Sequence, residues 1–541
     1  MVDQLLYNAN VYTLDPARPR VGAIAIRRGE IVATGTREEL APLAGPATRH
    51  TDLAGAVVLP GMVDAHIHWA WTALNMRHVD LMDVPSRAEC VARVAEAARR
   101  ARPGEWIRGF GWAQGLWNDT DGAFPSAADL DAVAPNNPVL MKSRSGHAGW
   151  VNTRAMELAR INASTPDPEG GSIQRDCQGH PTGILFESAM ELASAVCPAP
   201  TPTEIADCIE EAQKLAWRCG LTGLHDYDGP DCLAALQILR ERGTLGLRVV
   251  KQINDPYIHH AHALGLRTGL GDAWIRLGGL KIFADGALGP LTAHMLEPYE
   301  EQPDNLGIVC MEKARIHELV LEATLKGFPA TIHAIGDAAV RTVLDVYQDI
   351  RAREAAAGIP RHQRRHRIEH VQLIHPDDVG RLAELDVIAS IQPIHATSDY
   401  PVADRYWGRR AALSYNARVQ IDAGARVAFG SDSPVEPFAP LAGIHAAVTR
   451  RRADGSPGPA GWYPEARLTV DEAIRGYTEG PAWAGGMEHH TGRLTPGRLA
   501  DLVALGRDPY SVDPNDLLHI PVLGTMVDGV WRHRASGFAG G

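Results

Sequence analysis

Two histidines one residue apart, His66 and His68, end the stretch VDAHIH, which follows the apolar run AVVLPGM. In an extended chain, residues i and i+2 point to the same side, so both imidazoles can converge on one point. Converging neutral imidazoles are natural ligands for a borderline divalent metal ion; two ordinary polar histidines are the plain alternative. Further groups that bind metals or carry protons follow along the chain: Lys281 in LGGLKIFADG, His333 in ATIHAIGD, His370 in RIEH and Asp432 in GSDSP. Singly, each has an ordinary explanation as a core histidine, a salt-bridged lysine or, for Asp432, a helix N-cap. A shared role requires elements that bring all six side chains to one cavity.

The candidate elements are short apolar, β-branched runs at 56–65, 221–227, 247–253, 276–284, 329–335, 366–373, 386–393 and 425–431, and the six residues lie at or near the ends of five of them. Most later intervals hold an amphipathic helix candidate, such as 337–358 and 376–385. Eight alternating units predict an α/β fold of the (β/α)8 TIM-barrel type rather than an open doubly wound sheet. No GxGxxG or Walker loop follows any of these strands, which argues against nucleotide binding. In such a barrel the C-terminal strand ends form one ring around the catalytic mouth.

Both chain ends read differently. GAIAIRRGEIVATG near the start, and ADLVAL and VLGTMVDGVWRHR near the end, alternate apolar and polar residues between turn glycines. Residues 1–56 and 486–541 are therefore expected to form one composite β-sandwich outside a barrel spanning 57–485. The interval between the first and second strands is too long for one helix, so residues 70–215 are expected to form an inserted subdomain over the mouth. Trp112, Trp117 and Trp150 in it have two open roles, as walls of an apolar substrate pocket or as the insert's own core.

The 541-residue chain carries 53 basic and 65 acidic residues, a net charge of -12, which argues against nucleic acid or an anionic membrane as partner. No secretory signal or membrane-length apolar run is visible, and the seven cysteines are scattered. A reducing cytoplasm is the expected location.

The chain resembles the amidohydrolase superfamily, in particular its YtcJ-like branch (amidohydrolase family 3), which includes N-substituted formamide deformylases. The likeness runs through PGMVDAHIH, SGHAGWVN, PTGILFES, GLKIFADGALG, IHAIGD, RIEHVQ, IQPIH, GSDSPVEP and GRLTPGRLADLVAL. It implies two divalent metals: one held by His66 and His68 with Asp432, the other by His333 and His370, with Lys281 bridging them as a carbamate formed with carbon dioxide. Zinc is the expected metal, with manganese, cobalt, nickel or iron as alternatives. The implied chemistry is hydrolysis of a non-peptide carbon–nitrogen bond in a small amide-type substrate, by attack of a metal-bound hydroxide. Asp432 would carry the proton, with His147 and His395 as further catalytic candidates. Asp64, Asp285 and Glu187 are supporting or substrate-side candidates. A homodimer is the assembly the resemblance suggests. Alternatives on the same scaffold are a cyclic-amide hydrolase, a one-metal deaminase and a barrel without catalysis. The histidine-rich tract YIHHAH (257–262) reads as a solvated helix face.

Overall fold

A computed structural model describes residues 1–82, 84–144 and 147–538. The runs that read as buried strands form one eight-stranded sheet whose spatial order is the chain order. Its strands are β1 (Met62–Ile67), β2 (Leu221–Asp226), β3 (Arg248–Asn254), β4 (Ile275–Phe283), β5 (Ala330–Ala334), β6 (Arg367–His370), β7 (Ile388–Ile391) and β8 (Val427–Phe429). All successive pairs are parallel. The Asp432 N–H donates to the His66 carbonyl at 2.7 Å, and the Ser431 N–H to Asp64 Oδ1 at 3.1 Å. Those bonds bring the last strand's end back to the first, making a nearly closed barrel. Strands such as β2 and β5 are buried at every position, as parallel strands covered on both faces must be. Helices Pro230–Arg242, Asp255–Ala263, Lys313–Lys326 and Asp337–Ala356 follow β2, β3, β4 and β5. The expected helix at 376–385 is broken instead into a 3-10 turn, Pro376–Asp378, and a single turn, Arg381–Glu384.

The run expected as one strand over 56–65 serves two sheets. Val57–Pro60 lies in a terminal sheet, between Asn10–Tyr12 and Leu502–Leu505, and only Met62–Ile67 enters the barrel. Gly61 makes the crossing. A Cβ there would lie 2.3 Å from Thr222 Oγ1, so any side chain would push against β2. The terminal sheet has six strands drawn from both chain ends. A four-stranded sheet from residues 4–52 packs against it through Leu6, Ile24 and Ile26 on one side and Val58, Leu502 and Met526 on the other. Arg248 at the start of β3 joins this sandwich to the barrel: it is buried and paired with Asp501, and its Nη2 lies 3.2 Å from Asp528 Oδ1.

Residues Ala73–Cys208 form a separate compact unit. Its six-stranded mixed sheet runs in spatial order through Gly171–Arg175, Pro181–Glu187, Ala148–Val151, Val139–Ser143, Ile107–Trp112 and Val79–Asp80. Trp112, Trp117 and Trp150 are all buried in it, with ring centroids 6.1–6.2 Å apart. They fill the unit's own core, the second of the two roles open to them. Among the described residues no helix is long and apolar enough to cross a membrane.

Candidate metal centre

The ends of β1, β4, β5 and β6 and the segments after β7 and β8 bring together five imidazoles, one lysine and one carboxylate. His66 lies near the end of β1, and His68 directly follows the strand. The His66 Nδ1–H donates to Glu369 Oε2 at 2.7 Å, and its ring stacks on Tyr227 at 3.9 Å. The His68 Nδ1–H donates to Asp228 Oδ1 at 3.1 Å. Each ring is thereby held by its outer nitrogen, and its Nε2 meets one shared oxygen: Asp432 Oδ1 is 3.4 Å from His66 and 3.5 Å from His68. The other oxygen of Asp432 lies 3.9 Å from His395 Nε2.

The remaining groups complete the ring. His370 donates from Nδ1 to Gln392 Oε1 at 2.8 Å, and its ring centroid is 5.0 Å from His66 and 4.6 Å from His333. Strand alternation would send His370 away from Glu369, its neighbour. Positive φ at His370 (76°) and Val371 (44°) breaks the alternation, so both side chains reach the interior. His333 donates from Nε2 to the Gly286 carbonyl at 2.8 Å, which leaves Nδ1 as its free nitrogen. Lys281 is 1% exposed, and its Nζ has no hydrogen-bond partner. The rings of Phe283 and Tyr227 lie 4.4 and 4.9 Å from that nitrogen.

Burial and the unpaired ammonium set the charge states. Burial holds His66 and His370 well below the ordinary imidazole value, and the Lys281 charge adds to the effect on both. His333 falls to about 3 for the same two reasons, and His395 to about 4 by burial alone. Burial opposes charge on His68 too, but Asp228 and Asp432 outweigh it and raise its pKa. Lys281 is pushed down to about 8 by burial, and Asp432 up to about 6. Four of the five imidazoles are therefore neutral, the form in which they donate a lone pair to a metal.

The arrangement fits divalent cations. Ligand atoms of His66, His68 and Asp432 lie within 4.8 Å of one another, and so do those of His370, His395 and Asp432. The His395 Nε2 and Lys281 Nζ atoms are buried without hydrogen-bond partners. Outer nitrogens bonded to carboxylate or carbonyl groups fix ring orientation in the way metal-binding histidines require. His395, a catalytic candidate from the sequence, stands beside Asp432, with its Nε2 3.9 Å from Oδ2.

Of the supporting candidates, Asp64 accepts from the His66 and Ser431 N–H groups at 3.0 and 3.1 Å and so fastens β1 to the end of β8. Asp285 accepts from the N–H groups of Ile335, Gly336 and His294 at 2.8–3.0 Å, bracing the turn that follows His333. Burial raises both carboxyls to about 7. His147 and Glu187 pair with each other at 3.0 Å within the inserted unit, both largely exposed. Glu369, Asp228, Tyr227 and Gln392 were not singled out from the sequence. The one local signal was a carboxylate, Glu369, directly before His370 inside an apolar strand.

The sequence profile of the Amidohydrolase family matches residues 49–533. The chain belongs to the amidohydrolase family. Among its relatives, the putative amidohydrolase YtcJ of Bacillus subtilis is 32% identical over 530 residues, covering 96% of this chain and 97% of its own. The N-substituted formamide deformylase of Arthrobacter pascens is 30% identical over 571 residues, covering 99% of both chains. Among solved structures, an uncharacterized metal-dependent hydrolase from Pyrococcus furiosus superposes with a TM-score of 0.78 at 28% identity, over 94% of this amidohydrolase and 100% of that chain.

Proposed function

We propose that this amidohydrolase is a metal-dependent enzyme that hydrolyses a non-peptide carbon–nitrogen bond of amide type in a small molecule, with chemistry like that named for its deformylase relative. The observation that carries the reading is Asp432: one carboxylate with one oxygen near the His66–His68 pair and the other near His395. His66, His68 and Asp432 would hold one cation. His333 and His370 would hold a second, with Lys281 between them and His395 beside the same carboxylate. Divalent cations in these positions would polarise the scissile carbonyl and acidify the attacking water.

The chain's own groups do the rest. Glu369 and Asp228 fix the orientation of His66 and His68 through their Nδ1 atoms. Asp432 takes the proton from the attacking water and returns it to the departing nitrogen, leaving a carboxylate and an amine. Burial of Lys281 keeps part of its amine uncharged near neutral pH. That amine adds to carbon dioxide with loss of one proton, and an anionic carbamate replaces a cation that would repel the metals.

The test pairs elemental analysis with a screen of N-formyl amines, N-acyl amino acids, cyclic imides and aminated heterocycles. Two metals per chain with turnover of an amide is the expected result. One metal with deamination would favour the one-metal alternative, and absence of turnover after metal supplementation would overturn the proposal. Asp432→Asn is expected to keep much of the metal and lose turnover by about two orders of magnitude or more; unchanged turnover removes it as proton carrier.

A further inference from the structure

Histidines of the tract YIHHAH, expected to be a solvated face, acquire a partner in the folded chain. They lie on helix Asp255–Ala263, which follows β3, and face helix Lys313–Lys326, which precedes β5. His259 and His262, three residues apart, stand on one face of their helix, and Glu322 meets them from the neighbouring one. Glu322 Oε1 is 3.2 Å from His262 Nδ1 and 4.0 Å from His259 Nδ1. One ligand atom from each of the three residues lies within 4.8 Å of the others.

We propose that His259, His262 and Glu322 form a further binding site for a borderline divalent cation such as Zn2+, on the outer helical layer and separate from the centre in the barrel mouth. Zinc bonds of roughly 2.0–2.2 Å to nitrogen and oxygen in a tetrahedron put ligand atoms about 3.4 Å apart. The His262–Glu322 edge already has that length. The His259–Glu322 edge, at 4.0 Å, and the His259–His262 edge, within 4.8 Å, close by movement of His259 alone, whose side chain is 54% exposed and free to turn. The His262 side chain is only 3% exposed. Its Nε2 has no hydrogen-bond partner and its ring packs on Phe328 at 5.7 Å, so its one polar outlet is Nδ1, the atom facing the cluster.

Charge favours a dication as well. Burial lowers the proton affinity of His262, which leaves it the neutral form that donates a lone pair. Lys326 keeps Glu322 ionised through a 2.7 Å ion pair to the same Oε1. The Glu322 carboxylate and the neutral His262 imidazole favour a cation there, with open positions for water. Lys326 is its built-in competitor, a singly charged ammonium on the oxygen that the metal would take. Imidazole-rich ligation also admits Ni2+ and Cu2+.

The experiment is equilibrium dialysis of the full-length protein as purified, its resident metal first fixed by elemental analysis, against increasing Zn2+. One further Zn2+ per chain is expected. His259→Ala and Glu322→Gln should each weaken that ion by at least the ~10-fold that loss of even an outer partner costs, with resident metal unchanged. Lys326→Ala should tighten it, because the competing cation is gone. Because His259 is exposed, its variant leaves the fold undisturbed. Failure to bind a further ion overturns the proposal. So does a further ion indifferent to both ligand variants, or one that Lys326→Ala weakens.

Discussion

Replacing Lys281 with methionine is expected to stabilise the metal-free protein while lowering its capacity for metal. The Lys281 nitrogen is buried without a hydrogen-bond partner; two aromatic faces at 4.4 and 4.9 Å and the attraction of Glu369 and Asp432 offset only part of the cost of its charge. Burial lowers its pKa from 10.5 to about 8, and at about 1.4 kcal/mol for each pH unit this is about 3 kcal/mol against the charged form. The unfolded chain keeps this proton up to about 10.5, the folded chain only up to about 8. Between those values the unfolded state binds more protons, so stability rises with pH; below about 8 the full penalty stands. Methionine is similar in length, flexible and uncharged, and fills the same space. That penalty is already net of the attraction of Lys281 to Glu369 and Asp432, and imperfect packing of the new side chain brings the expected gain at neutral pH to about 1–3 kcal/mol.

The assay is urea unfolding of chelator-stripped parent and Lys281→Met protein at neutral pH and at about pH 9.5, with elemental analysis of the untreated samples. The variant should unfold later at neutral pH, its advantage should shrink by about half or more at the higher pH, and its metal content should fall. A stripped variant that unfolds earlier than the parent at both pH values refutes the reasoning. Lys281 would then be a stabilising partner of the nearby carboxylates, not a strained charge.

Glu369→Gln should weaken metal retention by about 10–100-fold, read by chelator competition, because it removes the anionic partner of the His66 Nδ1–H. Metal affinity should decline as pH falls from 7 to 5, where His68, with its raised pKa, and Asp432, at about 6, take up protons that compete with the metal; affinity flat over that range would exclude both as ligands. Arg248→Met leaves Asp501 buried beside Asp528 without its cation, and chemical denaturation should register a loss of about 3–5 kcal/mol.

The barrel was readable because buried parallel strands are written as continuous apolar runs, and each expected run has its counterpart among β1–β8. The misreading at 56–65 has a physical cause. Val57–Pro60 and Met62–Ile67 are both buried and apolar, so hydrophobicity does not mark the change of sheet; Gly61 alone does, and its meaning lies in Thr222, far along the chain. The groups at the strand ends were legible for a similar reason, since polar side chains stand out where apolar runs stop. The groups that aim them were not. Asp228 is 160 residues from His68, and Glu369 is 303 residues from His66. No local spacing encodes such pairs. The reversal of side at His370 was equally hidden, because it depends on a positive φ that no glycine announces. YIHHAH reads as a solvated face in sequence because its carboxylate partner, Glu322, lies 60 residues beyond His262.

The strand Val57–Pro60 joins partners from opposite ends of the polypeptide, Asn10–Tyr12 on one edge and Leu502–Leu505 on the other. During synthesis, the segment leading into His66 and His68 emerges long before its second neighbour, Leu502–Leu505. The first two histidines therefore hang from a sheet that nascent chains cannot finish. Premature termination before residue 502 would deprive the barrel's opening strand of an anchor, however complete the barrel itself. Quality control of such products would act on an exposed sheet edge, with the metal-binding ring already translated in full.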